Sequence, residues 1–96
     1  MLINPSTIDV GDVATFKLVN GDEIVAKVAE KGDDKFKLEA PYVVIPNQNG
    51  IGIMPAMFSA DRSKAVEVLR QHIMMMAVAE ENMKTHYIKT TTGIVV

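Results

Sequence analysis

The sequence predicts a mainly β protein: a small, strongly bent antiparallel barrel of five strands with a C-terminal helix. Three observations lead there. Two alternating runs flank Asn20-Gly21, the strongest short-range hairpin signal, because a type I′ turn needs positive φ at both central residues. A third alternating run, Lys35 to Ala40, follows the turn Lys31-Gly32-Asp33-Asp34. Finally, Phe16, Leu18, Ile24, Ala26, Val28, Phe36, Leu38 and Ala40 share one face at a spacing of two. Lys17, Lys27, Lys35, Lys37 and Glu39 share the other.

Composition sets bounds. Ninety-six residues make one domain with a modest core. Such short strands leave edges to be covered, which favours oligomerisation. Ten basic against 12 acidic residues give net −2, which excludes a strongly basic nucleic-acid protein but not a local basic patch. Without cysteine there is neither a disulfide framework nor a thiolate metal site. No apolar run approaches a membrane span and no charged-then-apolar leader opens the chain, so a cytoplasmic protein is expected.

Taken in order, Pro5-Ser6-Thr7 suits a single helical turn before the first strand. Beyond the three strands, Pro41 to Pro46 continues extended, Asn47-Gln48-Asn49-Gly50 turns, and Ile51 to Phe58 returns as an interrupted strand, so 41–63 reads as an extended hairpin. Ala65, Val66, Leu69, Ile73 and Met76 recur near helical spacing, and Asp61 or Ser63 would cap a helix over 62–89. Against that helix stands Ile73-Met-Met-Met-Ala-Val-Ala79, apolar on every side, which a small domain cannot bury around a helix. A strand covered by a neighbouring subunit accounts for that run more simply, and a family resemblance carried by Leu69 to Ile73 tips the choice to strands over 64–70 and 73–79. A short amphipathic helix over 80–90 follows, with acidic start, basic end and a Met83/Tyr87 pair. Thr90 to Val96 is β-prone, with an apolar end that calls for a packing partner.

Val19-Asn20-Gly21, Ala26, the Asp33-Asp34 pair, Phe36 and Leu38 together resemble the first signature block of the Sm-like superfamily, which includes the bacterial RNA chaperone Hfq. Leu69-Arg70-Gln71-His72-Ile73 resembles the second block, closest to the Hfq form with a basic residue and histidine in a tight turn between two strands. The resemblance is clear over 13–40, moderate over 64–79, and absent over 41–63 and 80–96. Two departures stand out: the Gly21–Asp33 interval is one residue longer than usual, and Lys37 replaces the usual base-contacting asparagine. The Arg-Gly pair of archaeal and eukaryotic members is also missing. Small divergent relatives of this kind occur in bacteriophage and marine environmental sequences, and the drift of both blocks suits such an origin.

The resemblance implies an SH3-type barrel, no enzymatic activity, no cofactor and a homo-oligomeric ring of roughly five to seven subunits. The 64–70 strand of one subunit would pair with 73–79 of the next, through Val66, Val68, Ile73, Met74, Met75 and Met76. It implies single-stranded, U- or A-rich RNA as partner, held at the pore by Arg70, Gln71, His72, Asp33, Phe36 and Lys37. Repetition of one weak contact around a ring would supply avidity. A ring-forming structural or protein-interaction module without RNA is the alternative.

Each residue also has a plainer reading. Asp33 and Asp34 form an acidic pair, but sequential neighbours point apart and a Gly-containing turn is ordinary solvated chemistry. Arg70 offers a donor fork for phosphate or a base edge, or an ion pair with Glu67. Phe36 can stack on a base or belong to the core with Leu38. Lys35 and Lys37 can meet phosphate or line a solvated face. His72 and His86 lack metal-ligand spacing, and Met74 to Met76 suit adaptable packing at a subunit contact. Gly50 and Gly52 lack the lysine and helix of a phosphate loop, and no serine has a basic partner.

Overall fold

A computed structural model describes residues 8–93. The strands are β1 (Val13–Leu18), β2 (Glu23–Lys31), β3 (Lys35–Asn47), β4 (Gly50–Pro55), β5 (Val66–Leu69) and β6 (Ile73–Val78). A 3-10 turn, Arg70–His72, joins β5 to β6, and helix α1 (Glu81–Thr92) closes the described chain. The sheet is antiparallel throughout, in the order β4-β3-β2-β1-β6, with β5 on β3. The Pro5-Ser6-Thr7 turn and Ile94 to Val96 lie outside the described residues.

The mainly β class with a C-terminal helix is observed; the expected five-stranded closed barrel is not. The sheet has six strands and does not close. The reason lies in β3, which is 13 residues long. Lys35–Leu38 pair with β5, and Tyr42–Asn47 pair with β4, so one long strand serves two partners. The 3-10 turn then carries the chain from β5 to β6 beside β1, with no ladder between β5 and β6.

Period-two alternation builds the first core. Ala14, Phe16, Ile24, Ala26, Val28, Phe36, Leu38 and Ile8 are buried together, with Leu18, Val43, Val68 and Ile73 against them. Val68 on β5 and Ile73 on β6 reach the same cluster, so the sheet wraps around it. Phe16 and Phe36 meet edge to face at 5.5 Å, a geometry that aromatic quadrupoles favour. The opposite face forms a second core under α1: Val13, Val25, Ala79 and Tyr87, with Ala40, Tyr42, Val44, Ile53 and Met83.

Ala40 therefore sits on the second face, not on the first as strict alternation predicts. Val25 pairs with Tyr42 but Lys27 with Glu39, so Ala40 and Pro41 together oppose Ala26 as a bulge. Ala40 has φ of 47°, the one non-glycine in the left-handed region among the described residues. The extra residue switches the phase: even-numbered residues face the first core before it, and Val43 faces it afterwards. Left-handed backbone strains an L-residue by roughly 1–2 kcal/mol, of which glycine's greater unfolded-state entropy offsets a part. Ala40→Gly is expected to stabilise by about 0.5–1 kcal/mol, read as a raised urea midpoint with unchanged slope.

Two turns follow different chemistry from that expected. Gly21 has φ of 98° whereas Asn20 does not share it, so the Asn20-Gly21 turn is not type I′. Gly21 N donates to Leu18 O (2.9 Å) and Leu18 N to Asp22 O (2.8 Å), which makes a longer loop with one glycine in the left-handed region. Asp22 N donates to Asn20 Oδ1 at 3.0 Å and steadies it. The Asn47–Gly50 turn is found as expected, with a two-residue loop. Asp61, free of any helix, accepts from Ser63 N (2.9 Å) and Ser63 Oγ (2.7 Å) in the 56–65 loop. These bonds hold its carboxyl below the usual range.

Helix α1 starts where Glu80 Oε1 accepts from Met83 N at 2.9 Å. It ends at Gly93, φ 75°, whose N–H donates to Lys89 O. Thr90 to Thr92 are helical, not extended as their β propensity suggests. The Thr91 and Thr92 hydroxyls donate back to Tyr87 O (2.8 Å) and Ile88 O (2.6 Å), which satisfies them inside the helix. Among the described residues, no helix is long and apolar enough to cross a membrane.

Candidate nucleic-acid interface

The 3-10 turn lies between two other connections, the β1–β2 loop and the β2–β3 turn, which leave β2 at its opposite ends. Their backbones are tied together. Val19 N donates to His72 O at 2.8 Å, and Arg70 N donates to Asp34 O at 2.9 Å. The β2–β3 turn closes on itself through Gly32 N and Lys35 O, 2.8 Å apart. A Cβ on residue 32 would stand 3.0 Å from that same carbonyl, so glycine suits the position.

Arg70 is the clasp. Its Nε donates to Gly32 O at 2.8 Å, and its guanidinium carbon lies 4.4 Å from the centroid of the Phe36 ring. The flat cation rests on the negative face of the aromatic ring while one donor holds the neighbouring turn. No hydrogen bond or ion pair from the described residues engages its two terminal nitrogens. Glu67, the expected ion-pair partner of Arg70, instead meets Lys35 at 3.2 Å.

The sequence-predicted contacts thus divide. The 3-10 turn sets Arg70, Gln71 and His72 beside the Asp33-Asp34 turn, with Gln71, His72, Asp33 and Asp34 exposed. Phe36 is 1% exposed: Phe16 meets its edge, Arg70 covers its face, and no surface is left for a base to stack on. That places it in the core with Leu38, the plainer of its two readings. Lys37 is half-buried and lies 3.7 Å from Glu30, its cross-strand neighbour. Both ion pairs are solvent-exposed, so each adds at most about 1 kcal/mol and yields readily to a phosphate.

The candidate interface residues divide too. Val66, Val68 and Ile73 are half-buried, the latter two against the first core. Met74, Met75 and Met76 remain 61%, 65% and 42% exposed. Leu18 pairs with Ile73 and Lys17 with Met75, so Met74 is an extra residue that bulges β6 away from β1. Sequence reasoning placed Gly32 and Val19 in turns but gave them no part in the site, because they act through backbone atoms that every residue carries.

His86 is exposed on α1, beside a groove of about 620 Å³ lined by Thr15, Glu23, Val44, Ile51 and Met83 among others. Among the described residues, no group of three or more His, Asp or Glu is placed to hold a metal ion. In sequence comparison the chain matches no family model and no curated protein.

Proposed function

We propose that this chain is a non-enzymatic Sm-like subunit that assembles edge to edge into a homo-oligomeric ring and binds single-stranded RNA. β1, β2, the first half of β3, β5 and β6 would be the barrel strands, with β4 an added hairpin arm. The observation that carries this reading is the Arg70 clasp. It fixes two exposed turns side by side while leaving the guanidinium's outer donors open. Repeated around a ring, such a group offers phosphate or base edges a regular row of donors, with Gln71 and His72 beside it.

Two edges that are unpaired among the described residues support assembly. β5 uses one edge on β3, and β6 uses one on β1. The unused β6 edge presents three methionines without a charge among them, whereas monomers blunt such edges. Pairing β5 of one subunit with β6 of the next is head to tail and closes into a ring when the rotation permits.

The second reading, an assembly module of the cytoplasm without RNA, draws on the acidic Asp33-Asp34 pair and the buried Phe36 at that clasp. Light scattering with and without a short U-rich RNA separates the two. A single multimer that gains one RNA per ring, with a gain lost in Arg70→Ala and His72→Ala, is expected. The affinity should fall steeply with salt, because phosphate contacts release counterions. A ring that ignores RNA at low salt would leave the scaffold alone. A monomer would overturn both readings.

A further inference from the structure

We infer that the free edge of β4 is a second assembly surface, on which β4 of another copy pairs antiparallel about a twofold axis centred at Gly52. This interface is separate from the β5–β6 contact and does not depend on it. From Ala40 to Ala60 the chain carries no Asp, Glu, Lys, Arg or His. The hairpin arm is thus an edge strand without the charges that ordinarily prevent pairing, and Ile51 and Met54 on it stand 56% and 40% exposed. Among the described residues no strand pairs with its outer edge.

The hydrogen-bonding pattern admits a second copy of β4 on this edge and sets its register. Asn47 and Gly50 close a two-residue loop as a bonded pair, and Ala56 N donates to Pro41 O at 2.9 Å. The β4 ladder to β3 therefore runs through Gly50, Gly52 and Met54. The N–H and C=O groups of Ile51 and Ile53 point outward, and Pro55, next in the outward series, has no N–H. A strand laid antiparallel with Gly52 facing its own copy sets Ile51 against Ile53 of the second copy, and the reverse. Every outward N–H of β4 then meets a carbonyl.

Three features fit that register and no neighbouring one. Ile51-Gly52-Ile53 reads the same in both directions, so this register sets isoleucine against isoleucine on either side of the axis. Gly52 falls at the non-bonded position, where facing Cα atoms approach most closely, about 4.5 Å, and where a side chain is least welcome. Pro55 falls opposite Asn49, already in the turn, so its missing donor is not needed. A shift by two residues one way sets Pro55 opposite Ile51 and loses a donor; the other way it sets Ile53 opposite Asn49, already in the turn. The neutral surface meets itself without like-charge repulsion, and the isoleucines pair across the strands on one face.

Hydrogen exchange on the purified protein tests this, since a second copy is then the one partner available. Ile51 and Ile53 amides are expected to be protected at high protein concentration and to lose protection on dilution. Ile51→Pro removes an outward donor without touching the β3 ladder, and Ile51→Lys sets like charges across the axis. Each should halve the assembly mass: from double ring to ring, or from dimer to monomer if β5 and β6 do not pair. Met75→Lys on β6 should break a ring yet leave the β4 dimer, so the two interfaces fail separately. Free exchange of both amides at every concentration, or an unchanged mass in both folded Ile51 variants, would overturn the proposal.

Discussion

Replacing Phe36 by alanine is expected to cost about 3–5 kcal/mol, a large part of the roughly 5–15 kcal/mol that holds a domain of this size together. Three contacts converge on the ring. It is 1% exposed in the first core, meets Phe16 edge to face, and carries the Arg70 guanidinium on its outer face. Alanine removes the buried surface and leaves a cavity that β-sheet neighbours cannot readily fill. It also removes the platform of Arg70, a cation–π contact of about 0.5–2 kcal/mol. Phe36→Leu keeps much of the volume and should cost clearly less while still losing that platform. Urea unfolding at one fixed protein concentration measures both, since assembly makes apparent stability concentration-dependent. A loss below about 1 kcal/mol for alanine would place the ring outside the core and reopen it as a base-stacking surface.

The first core was readable because its strands obey one rule, alternation, up to the bulge at Ala40: Phe16, Ile24, Ala26, Val28, Phe36 and Leu38 all lie where spacing predicts. Ala40 broke the pattern because a bulge is a backbone event. Alanine gives no hint that its φ is positive, and the proline after it argues for extended backbone instead. The helix-or-strand choice at 64–79 was not settled by periodicity: the run apolar all round favoured a strand with one open edge, and the resemblance over Leu69 to Ile73 tipped the balance. The helix end was misread because threonine propensity is local, while the hydroxyl bonds to Tyr87 O and Ile88 O and the glycine stop belong to the helix already formed. At the candidate site, Arg70 was legible as an important residue but its partners were not. They are the carbonyls of Gly32 and Asp34, which no side-chain pattern can announce. Ile8, buried in the first core ahead of β1, lacks any periodic neighbour that would have marked it.

Tyr87→Phe should destabilise by about 2–3 kcal/mol although it deletes a single oxygen, because that oxygen completes the β2–β3 bulge. The bulge at Ala40 and Pro41 leaves ladder groups without strand partners. Lys27 N donates to the Tyr87 hydroxyl at 3.2 Å, and the hydroxyl lies 2.7 Å from Glu39 O and 2.9 Å from Ala40 O. A phenol has one proton, so the two carbonyls share it while the oxygen accepts from Lys27. Phenylalanine would fill the same space, against Tyr42 at 6.1 Å, but strand three backbone groups beneath α1. Burial also pushes the Tyr87 pKa up from 10.0 to about 12, with Glu39 adding to it and the Lys27 hydrogen bond opposing. Between those values the unfolded chain gives up the proton and the folded one keeps it. Folding stability therefore falls as pH rises from about 10 to about 12, and is unaffected by this group below that window. Urea midpoints at neutral pH and near pH 11 should show the wild type losing this increment and Tyr87→Phe lacking it, on a baseline already lowered. Equal stabilities at neutral pH, or an alkaline loss of the same size in both proteins, would mean that the bulge stands without the tyrosine and that α1 packs on the sheet by apolar contact alone.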